Sequence, residues 1–400
     1  MHFERSYDVV VAGAGVAGIA AALETARAGL KTALVEKTIL TGGLATTGLV
    51  YVYLPLCDGC GTQVTFGIAE ELLHLSIKYG PGRIPNWRKA EGGKTEGRYL
   101  VRFSPAAFTI ALDEALMVAG VDVWLDTLIC ETITDGDRVT GVEVENKSGR
   151  GALRGQVVID ATGDADVAFR AGAECADGDN WLTIWAIVNS LQDAKTAVDK
   201  SDGTPLMRML YLGGDNAGGG QPGGSRIYKG TTGEEVSDFI LKSRKLLLGH
   251  CEAKWAEAED SNRHNYFPIT LPSMAQFRTS RRVVCQTTMR DGQHAQHVDD
   301  SVGLVADWRK SGFVWEIPYG ALVPTKVKGL LAAGRCVDSD GDAWQVMRVI
   351  PPAAHTGQVC GVAAELAIEH NTTPDALDAA DIQARLRDKG IPLHFGDVGL

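Results

Sequence analysis

The chain has no apolar run near the roughly 18 residues that a membrane-crossing helix needs. It has no excess of positive charge either. Lys and Arg number 39 against 50 Asp and Glu, a net charge of −11. No basic footprint therefore points to nucleic acid or to an anionic membrane. Its eight cysteines follow no framework spacing, so reduced thiols are expected and a disulfide scaffold is excluded. There is no internal repeat. A first strand is expected by about residue 7, leaving no room for a signal peptide or twin-arginine leader, and a cytoplasmic protein is the expectation. What remains is a 400-residue chain, 45% hydrophobic and 22% charged, an ordinary globular composition. That length suits two domains, or one large domain carrying an insertion.

The most informative stretch is Gly13-Ala14-Gly15-Val16-Ala17-Gly18, directly after the apolar run Tyr7–Ala12. It places G-x-G-x-x-G between a strand and an alanine-rich helix expected from Val16 to Ala28 and stopped by Gly29. In such a motif the first glycine permits the tight turn, the second lets a pyrophosphate approach the backbone, and the third lets helix and strand pack closely. The helix start offers N–H groups and a positive dipole end to phosphate. A second apolar run, Thr32–Val35, ends in Glu36 and then Lys37. An acid at that distance suits a ribose hydroxyl pair and would repel a 2′-phosphate. Strand, motif, helix, strand and acid in this order predict an adenine-dinucleotide site, without distinguishing NAD from FAD. A second literal match, Gly218–Gly223, contains Pro222 and is followed by no helix start, so it reads as a surface loop. The chain therefore lacks the second dinucleotide motif that nicotinamide-using flavoprotein reductases usually carry.

Further along, helices are expected at Phe66–Tyr79 and from Ser104-Pro105 to Ala119, the latter closed by Gly120. Gly80–Gly97 reads as an exposed loop. Short strands are expected at Val121–Leu125, Leu128–Ile133, Arg138–Asn146 and Gly151–Ile159. From about Asp177 to Tyr319 the texture changes to scattered tryptophans, a glycine-rich loop and a helix from Glu234 to 258 capped by Thr232. Strand texture returns at 327–334, then a small-residue helix over Ala353–Ile368 and a short one at Asp381–Lys389.

Two later segments decide the cofactor. Val157–Asp166 is a buried-type strand ending in Ala161-Thr162-Gly163-Asp164, and Gly329–Arg335 is another ending in Ala-Gly-Arg. With Thr41–Thr46, Phe277–Arg282, Asp307–Arg309, Glu316–Tyr319 and Gly334–Ala364, they make the chain resemble FAD-dependent oxidoreductases of the glutathione-reductase-type fold. More narrowly it is similar to a bacterial branch distantly related to succinate dehydrogenase and fumarate reductase flavoprotein subunits. The resemblance implies an α/β fold: a Rossmann-like FAD-binding domain, with a parallel sheet and helices on both faces, interrupted by an α+β substrate or cap domain. The expected division gives 1–50, 100–175 and 325–370 to the FAD domain, 51–99 and 176–324 to the cap, and 371–400 to a C-terminal tail. It implies cofactor contacts from Gly13, Ala14, Gly15, Ala17, Gly18, Glu36, Lys37, Gly43, Leu44, Ala45, Thr46, Ala161, Thr162, Gly163, Asp164, Gly334, Arg335, Thr356 and Gly357. The succinate dehydrogenase relatives carry a histidine after the glycine pair that attaches flavin covalently. Ala45-Thr46-Thr47-Gly48 has none, so FAD is expected to be non-covalent.

Pro351-Pro352 can start a helix but not continue one, which puts its expected N-terminus at Ala353 and His355-Thr356-Gly357 in its first turn. In the family this helix points at the pyrimidine edge of the flavin. His355 is then the candidate base for an alcohol or amine oxidation, against the alternative of a packed or capping histidine. Arg348 could clamp a substrate oxygen or the flavin edge. Arg281 and Arg282 belong to a dense basic cluster with Arg278 and could bind a carboxylate, or form ion pairs with Asp299, Asp300 or Asp307. Cys57-Asp58-Gly59-Cys60 invites a redox-disulfide reading that the missing nicotinamide motif argues against. His294 and His297, beside Asp299 and Asp300, have metal-ligand chemistry, but Gly292 and the lack of periodicity favour a solvated loop, and no metal is expected.

These residues support an enzyme oxidising a small polar metabolite, such as a sugar-derived alcohol or hydroxy acid, with an external acceptor: oxygen, a quinone or a redox protein. Two other readings stay open, a fumarate-reductase-like reduction of an activated C=C bond and a non-catalytic flavin-binding electron-transfer subunit. Neither nucleic acid nor a membrane is an expected partner, and a homo-oligomer is open.

Overall fold

The computed structural model describes residues 2–84, 87, 100–257 and 262–400. Most of the loop expected over Gly80–Gly97 (85–86 and 88–97) lies outside the described residues, as does position 258. Contacts divide the chain into two units. The first comprises Met1–Gly43, Val52–Ala176 and Arg281–Leu400; the second comprises Leu44–Tyr51 and Asp177–Ser280.

The first unit is built on a seven-stranded sheet. Its path runs Asp122–Trp124, Thr32–Val35, Phe3–Ala12, Gly149–Asp160, Arg138–Asn146, Leu128–Asp135, and Leu330–Ala332 pairs off this path with Gly149–Asp160. The pairings that surround the glycine motif are parallel: Val9–Ala12 on Thr32–Val35, the same residues on Val157–Asp160, and Leu330–Ala332 on Val158–Asp160. The last three strands before residue 160 form an antiparallel meander. The 12-residue strand Gly149–Asp160 serves both halves: its start pairs with the meander, while its end is flanked by parallel neighbours. Strands buried on both faces read as continuous apolar runs, and Val9–Ala12 and Val157–Ile159 are 0–1% exposed.

The helix Val16–Arg27 packs against Ile350–Glu369 through small residues. A Cβ on Gly357 would stand 2.0 Å from the Ala17 carbonyl oxygen, an approach that only glycine allows. The helix Pro105–Ala119 has its expected signals in place: Ser104 Oγ accepts from the Ala107 N–H, proline stands in the first turn, and Gly120 is left-handed. The helix expected from Ala353 begins at Ile350 instead. Pro351 and Pro352 sit inside its first turn, where their missing N–H groups have no intrahelical partner to lose. His355 is therefore one turn further in than expected.

In the second unit, Arg208–Gly213, Thr183–Ser190 and Tyr266–Thr270 form an antiparallel sheet with Thr183–Ser190 central. The helix Gly233–Trp255, capped by Thr232, covers it through Leu247 and Cys251 on Ile184, Ala186 and Val188. The Gly218–Gly223 segment is a turn-rich loop in which the Asp215 carboxylate accepts from the Ala217 and Gly219 N–H groups. All eight cysteines are free. Among the described residues no helix is long and apolar enough to cross a membrane.

Candidate functional site

The sharp turn after the first strand is made by Gly13, at φ +96°, where a Cβ would meet the Ala161 carbonyl oxygen at 2.7 Å. Gly18 closes the motif: a Cβ there would lie 1.8 Å from the Gly13 carbonyl oxygen. Gly15 differs. A Cβ there would have nothing within 4 Å, and no side chain caps the helix that starts at Val16. The protein therefore leaves open space beside the second glycine, at a helix N-terminus, where a pyrophosphate needs it.

Glu36 ends the neighbouring strand and is 9% exposed. Its Oε2 accepts from the Ala14 N–H at 3.0 Å, and its Oε1 accepts from the Thr38 N–H and hydroxyl at 2.9 and 3.0 Å. Those bonds set the carboxylate against the glycine loop. A cleft of about 420 Å³, counting the solvent at its mouth, is lined by Gly13, Glu36, Lys37 and Thr162. Thr127, Leu128, Ile129, Asp166 and Arg170 complete much of its wall, a contribution absent from the sequence reading.

The other expected cofactor segments converge on the same loop. Gly42 donates its N–H to the Ala14 carbonyl at 2.8 Å, and Gly43, at φ +57°, would bring a Cβ to 2.9 Å from Gly15 Cα. Asp160, wholly buried beneath Ala161–Asp164, accepts from the Thr162 N–H and hydroxyl and from the Ala168 N–H. Burial pushes its carboxyl above the ordinary range. Arg335 pairs with Asp164 at 2.8 Å and lies against Gly163. Thr356 Oγ1 accepts from the Gly334 N–H at 2.9 Å, and a Cβ on Gly334 would touch the Ala17 side chain. Leu44, Ala45 and Thr46 belong to the second unit. The fit to an adenine dinucleotide rests on the chain itself: a glycine cradle with room beside it, a fixed acid next to it, and a cleft.

The four side chains expected to be catalytic lie in different settings. His355 is 1% exposed, its Nε2 3.0 Å from the Val302 carbonyl oxygen, and its Nδ1 is buried with no hydrogen-bond partner. Burial pulls its pKa down to about 4, so the ring is neutral near pH 7 and Nε2 carries the proton donated to Val302. Arg348 is half-buried just before the helix Ile350–Glu369, its Nε 2.9 Å from Gln345 Oε1. Arg281 and Arg282 form ion pairs with other acids than the ones expected for them. Arg281 reaches Asp166 at 3.3 Å and the Asp164 carbonyl, over the Phe169 ring. Arg282 pairs with Asp338, whose other oxygen accepts from the Cys285 N–H and the Thr288 hydroxyl. The sequence offered Asp299, Asp300 and Asp307 because they are near in the chain, whereas the fold brings Asp166 and Asp338 across from other elements. Arg282→Leu would leave the fully buried Asp338 carboxylate without its cation, at a cost of roughly 3 kcal/mol. Thermal denaturation checks this: a wild-type melting temperature for the variant would refute a structural role for the pair.

Cys57 is buried and Cys60 exposed, in a loop organised by Asp58, which accepts from the Cys60 and Thr62 N–H groups. His294 packs against Phe313, ring centroids 4.2 Å apart and planes tilted by 33°. His297 parts from it and meets Glu316 and His394.

Compared with known proteins, residues 8–198 and 228–386 match the family described as FAD dependent oxidoreductase. A digeranylgeranylglycerophospholipid reductase of Picrophilus torridus is 33% identical over 171 residues, 40% of this chain and 40% of that protein. An L-aspartate oxidase of Mycobacterium leprae is 29% identical over 257 residues, 55% of this chain and 47% of the oxidase. The chain thus matches less than half the length of these curated relatives. Among solved structures, a geranylgeranyl bacteriochlorophyll reductase-like protein (Ta0516) of Thermoplasma acidophilum is similar with a TM-score of 0.46 and 16% identity, over 97% of this chain and 84% of that one.

Proposed function

The chain belongs to the FAD-dependent oxidoreductase family, and we propose that it oxidises a small polar metabolite, a sugar-derived alcohol or hydroxy acid, and passes the electrons to an external acceptor. Bound FAD supplies the two-electron, hydride-accepting chemistry. The chain's own residues bind and orient it. The Gly13–Gly18 loop and the helix start at Val16 take the pyrophosphate, Glu36 takes the ribose hydroxyls, and Thr162 and Lys37 line the same cleft. We assign Arg348, half-buried beside the start of the long helix, to clamp a substrate oxygen. His355, enclosed and tied to Val302, is assigned to packing of that helix rather than to proton transfer.

The observation that favours this oxidation over reduction of a dicarboxylate is the pairing of three arginines. Arg281, Arg282 and Arg335 each face a carboxylate of the chain itself. A site reducing a dicarboxylate needs such arginines turned toward the substrate instead. The acceptor is proposed to be oxygen, a quinone or a redox protein, because the sequence has one dinucleotide motif and no second. We further propose that the first unit carries the cofactor and the second the substrate-specific part.

The test is anaerobic bleaching of the FAD-loaded protein by a panel of sugars, polyols and hydroxy acids. Bleaching by a member of the panel supports the reading. Bleaching by none of them, with re-oxidation of the dye-reduced protein by fumarate-type acceptors, would replace it with C=C reduction. Arg348→Lys is expected to lower kcat/KM at least about tenfold with full FAD content, since an ammonium cannot reproduce a two-pronged contact. Unchanged kinetics would remove Arg348 from the substrate site.

A further inference from the structure

His297, Glu316 and His394 come from three separate segments: the loop before the strand Ser301–Ala306, the strand Val314–Pro318, and the chain beyond the helix Ala379–Asp388. One ligand-type atom from each lies within 4.8 Å of the other two. His394 Nδ1 stands 3.0 Å from Glu316 Oε2, and His297 Nδ1 stands 3.4 Å from the same oxygen. Ligand atoms about 2.1 Å from a tetrahedral zinc ion are about 3.4 Å from one another, and the two distances to Glu316 Oε2 lie at or a little below that edge length.

The groups around the cluster hold it in this arrangement. The Glu316 side chain is completely buried. The Val298 N–H donates to its Oε2 at 2.8 Å and the Phe395 N–H to its Oε1 at 3.1 Å. The backbone of two of the three segments therefore orients the carboxylate. The Leu393 and His394 N–H groups both donate to Asp397 Oδ2, which pins the His394 backbone. His297 Nε2 lies 3.3 Å from Asp299 Oδ1, a carboxylate–imidazole contact that directs Nδ1 toward Glu316. Glu316 Oε2 thus has a backbone N–H and the Nδ1 atoms of two imidazoles gathered around one buried oxygen. A cation between the three side chains would take a lone pair from each of the two imidazole nitrogens and from the carboxylate.

We propose that His297, Glu316 and His394 form a site for a divalent cation of the zinc class, with a fourth position open to water. Two imidazole nitrogens beside a single carboxylate suit zinc and its neighbours, whereas magnesium and calcium take oxygen ligands almost alone. The open position follows from His297, whose side chain is 62% exposed. The site shares no residue with the cofactor cradle, and its ion clips the C-terminal segment to the strand that carries Glu316.

The test is zinc titration of the chelator-treated, FAD-loaded protein by calorimetry, beside His297→Gln, His394→Gln and Cys60→Ser. His297 is exposed enough for its variant to keep the fold should His394→Gln fail to. The expected result is one zinc ion per chain in wild type and Cys60→Ser, binding at least about tenfold weaker in each histidine variant, and no uptake of magnesium. Zinc should also raise the melting temperature of wild type and leave that of His297→Gln unmoved. Absence of saturable binding in wild type, wild-type affinity in His297→Gln, or loss of binding in Cys60→Ser would each overturn the proposal.

Discussion

Gly15→Ala should give a protein that folds and melts as wild type does and yet holds FAD about 100-fold more weakly, a loss of roughly 2.7 kcal/mol. The reasoning is steric. A methyl group at Gly15 touches nothing in the protein, and the backbone there, at φ −70° and ψ 173°, is open to any residue. The methyl occupies only the space beside the helix start that a pyrophosphate needs. Gly18→Ala tests the other half of the motif. Its Cβ would stand 1.8 Å from the Gly13 carbonyl oxygen, a backbone atom with no room to move, so strand and helix must separate. That variant is expected to lose about 3 kcal/mol or more of stability, with or without cofactor. Melting temperature and FAD retention, measured together, distinguish the two. If Gly15→Ala retained FAD at wild-type affinity, the cradle would be misplaced.

The second large effect is on pH dependence. In the folded protein burial holds the His355 pKa near 4, against an ordinary value of 6.5 in the unfolded chain. A folded-state pKa below the unfolded one means that the unfolded chain binds the proton more readily. His355 therefore contributes its full stabilisation above about pH 6.5 and loses it as the pH falls toward 4, by about 3 kcal/mol in all. His355→Gln keeps a donor for the Val302 carbonyl and cannot titrate, so its stability should fall less steeply over that window. Urea unfolding of the FAD-free proteins at several pH values provides the comparison. Parallel curves for the two would show that His355 is not the buried group that titrates.

The cofactor cradle was legible because its parts are local or rule-bound. Gly13, Gly15 and Gly18 sit within six residues of each other, and Glu36 ends the next strand. Ser104, Pro105 and Gly120 mark the ends of one helix by chemistry that needs no distant partner. Pro351 and Pro352 marked a helix start too, but with an offset, because proline is tolerated anywhere in the first turn and not only at its edge. What was not legible depends on pairing across the chain. Nothing near Arg282 in sequence names Asp338, and nothing near His297 names Glu316 or His394. The Leu128–Ile129 part of the cleft wall lies on a strand whose place is decided by its partners. The order of strands in the second unit, with Thr183–Ser190 central, likewise follows from long-range packing that alternation in one strand does not encode.

The account stands or falls on FAD held without a covalent bond in the Gly13–Gly18 cradle. The direct measurement is the absorption spectrum of the purified, FAD-loaded protein before and after acid precipitation, run for wild type and Gly15→Ala. Bands near ~370 and ~450 nm that move into the supernatant, at one FAD per wild-type chain and far less for Gly15→Ala, are the predicted result. Colour that stays with the pellet, or a wild-type protein that takes up no FAD, would contradict it.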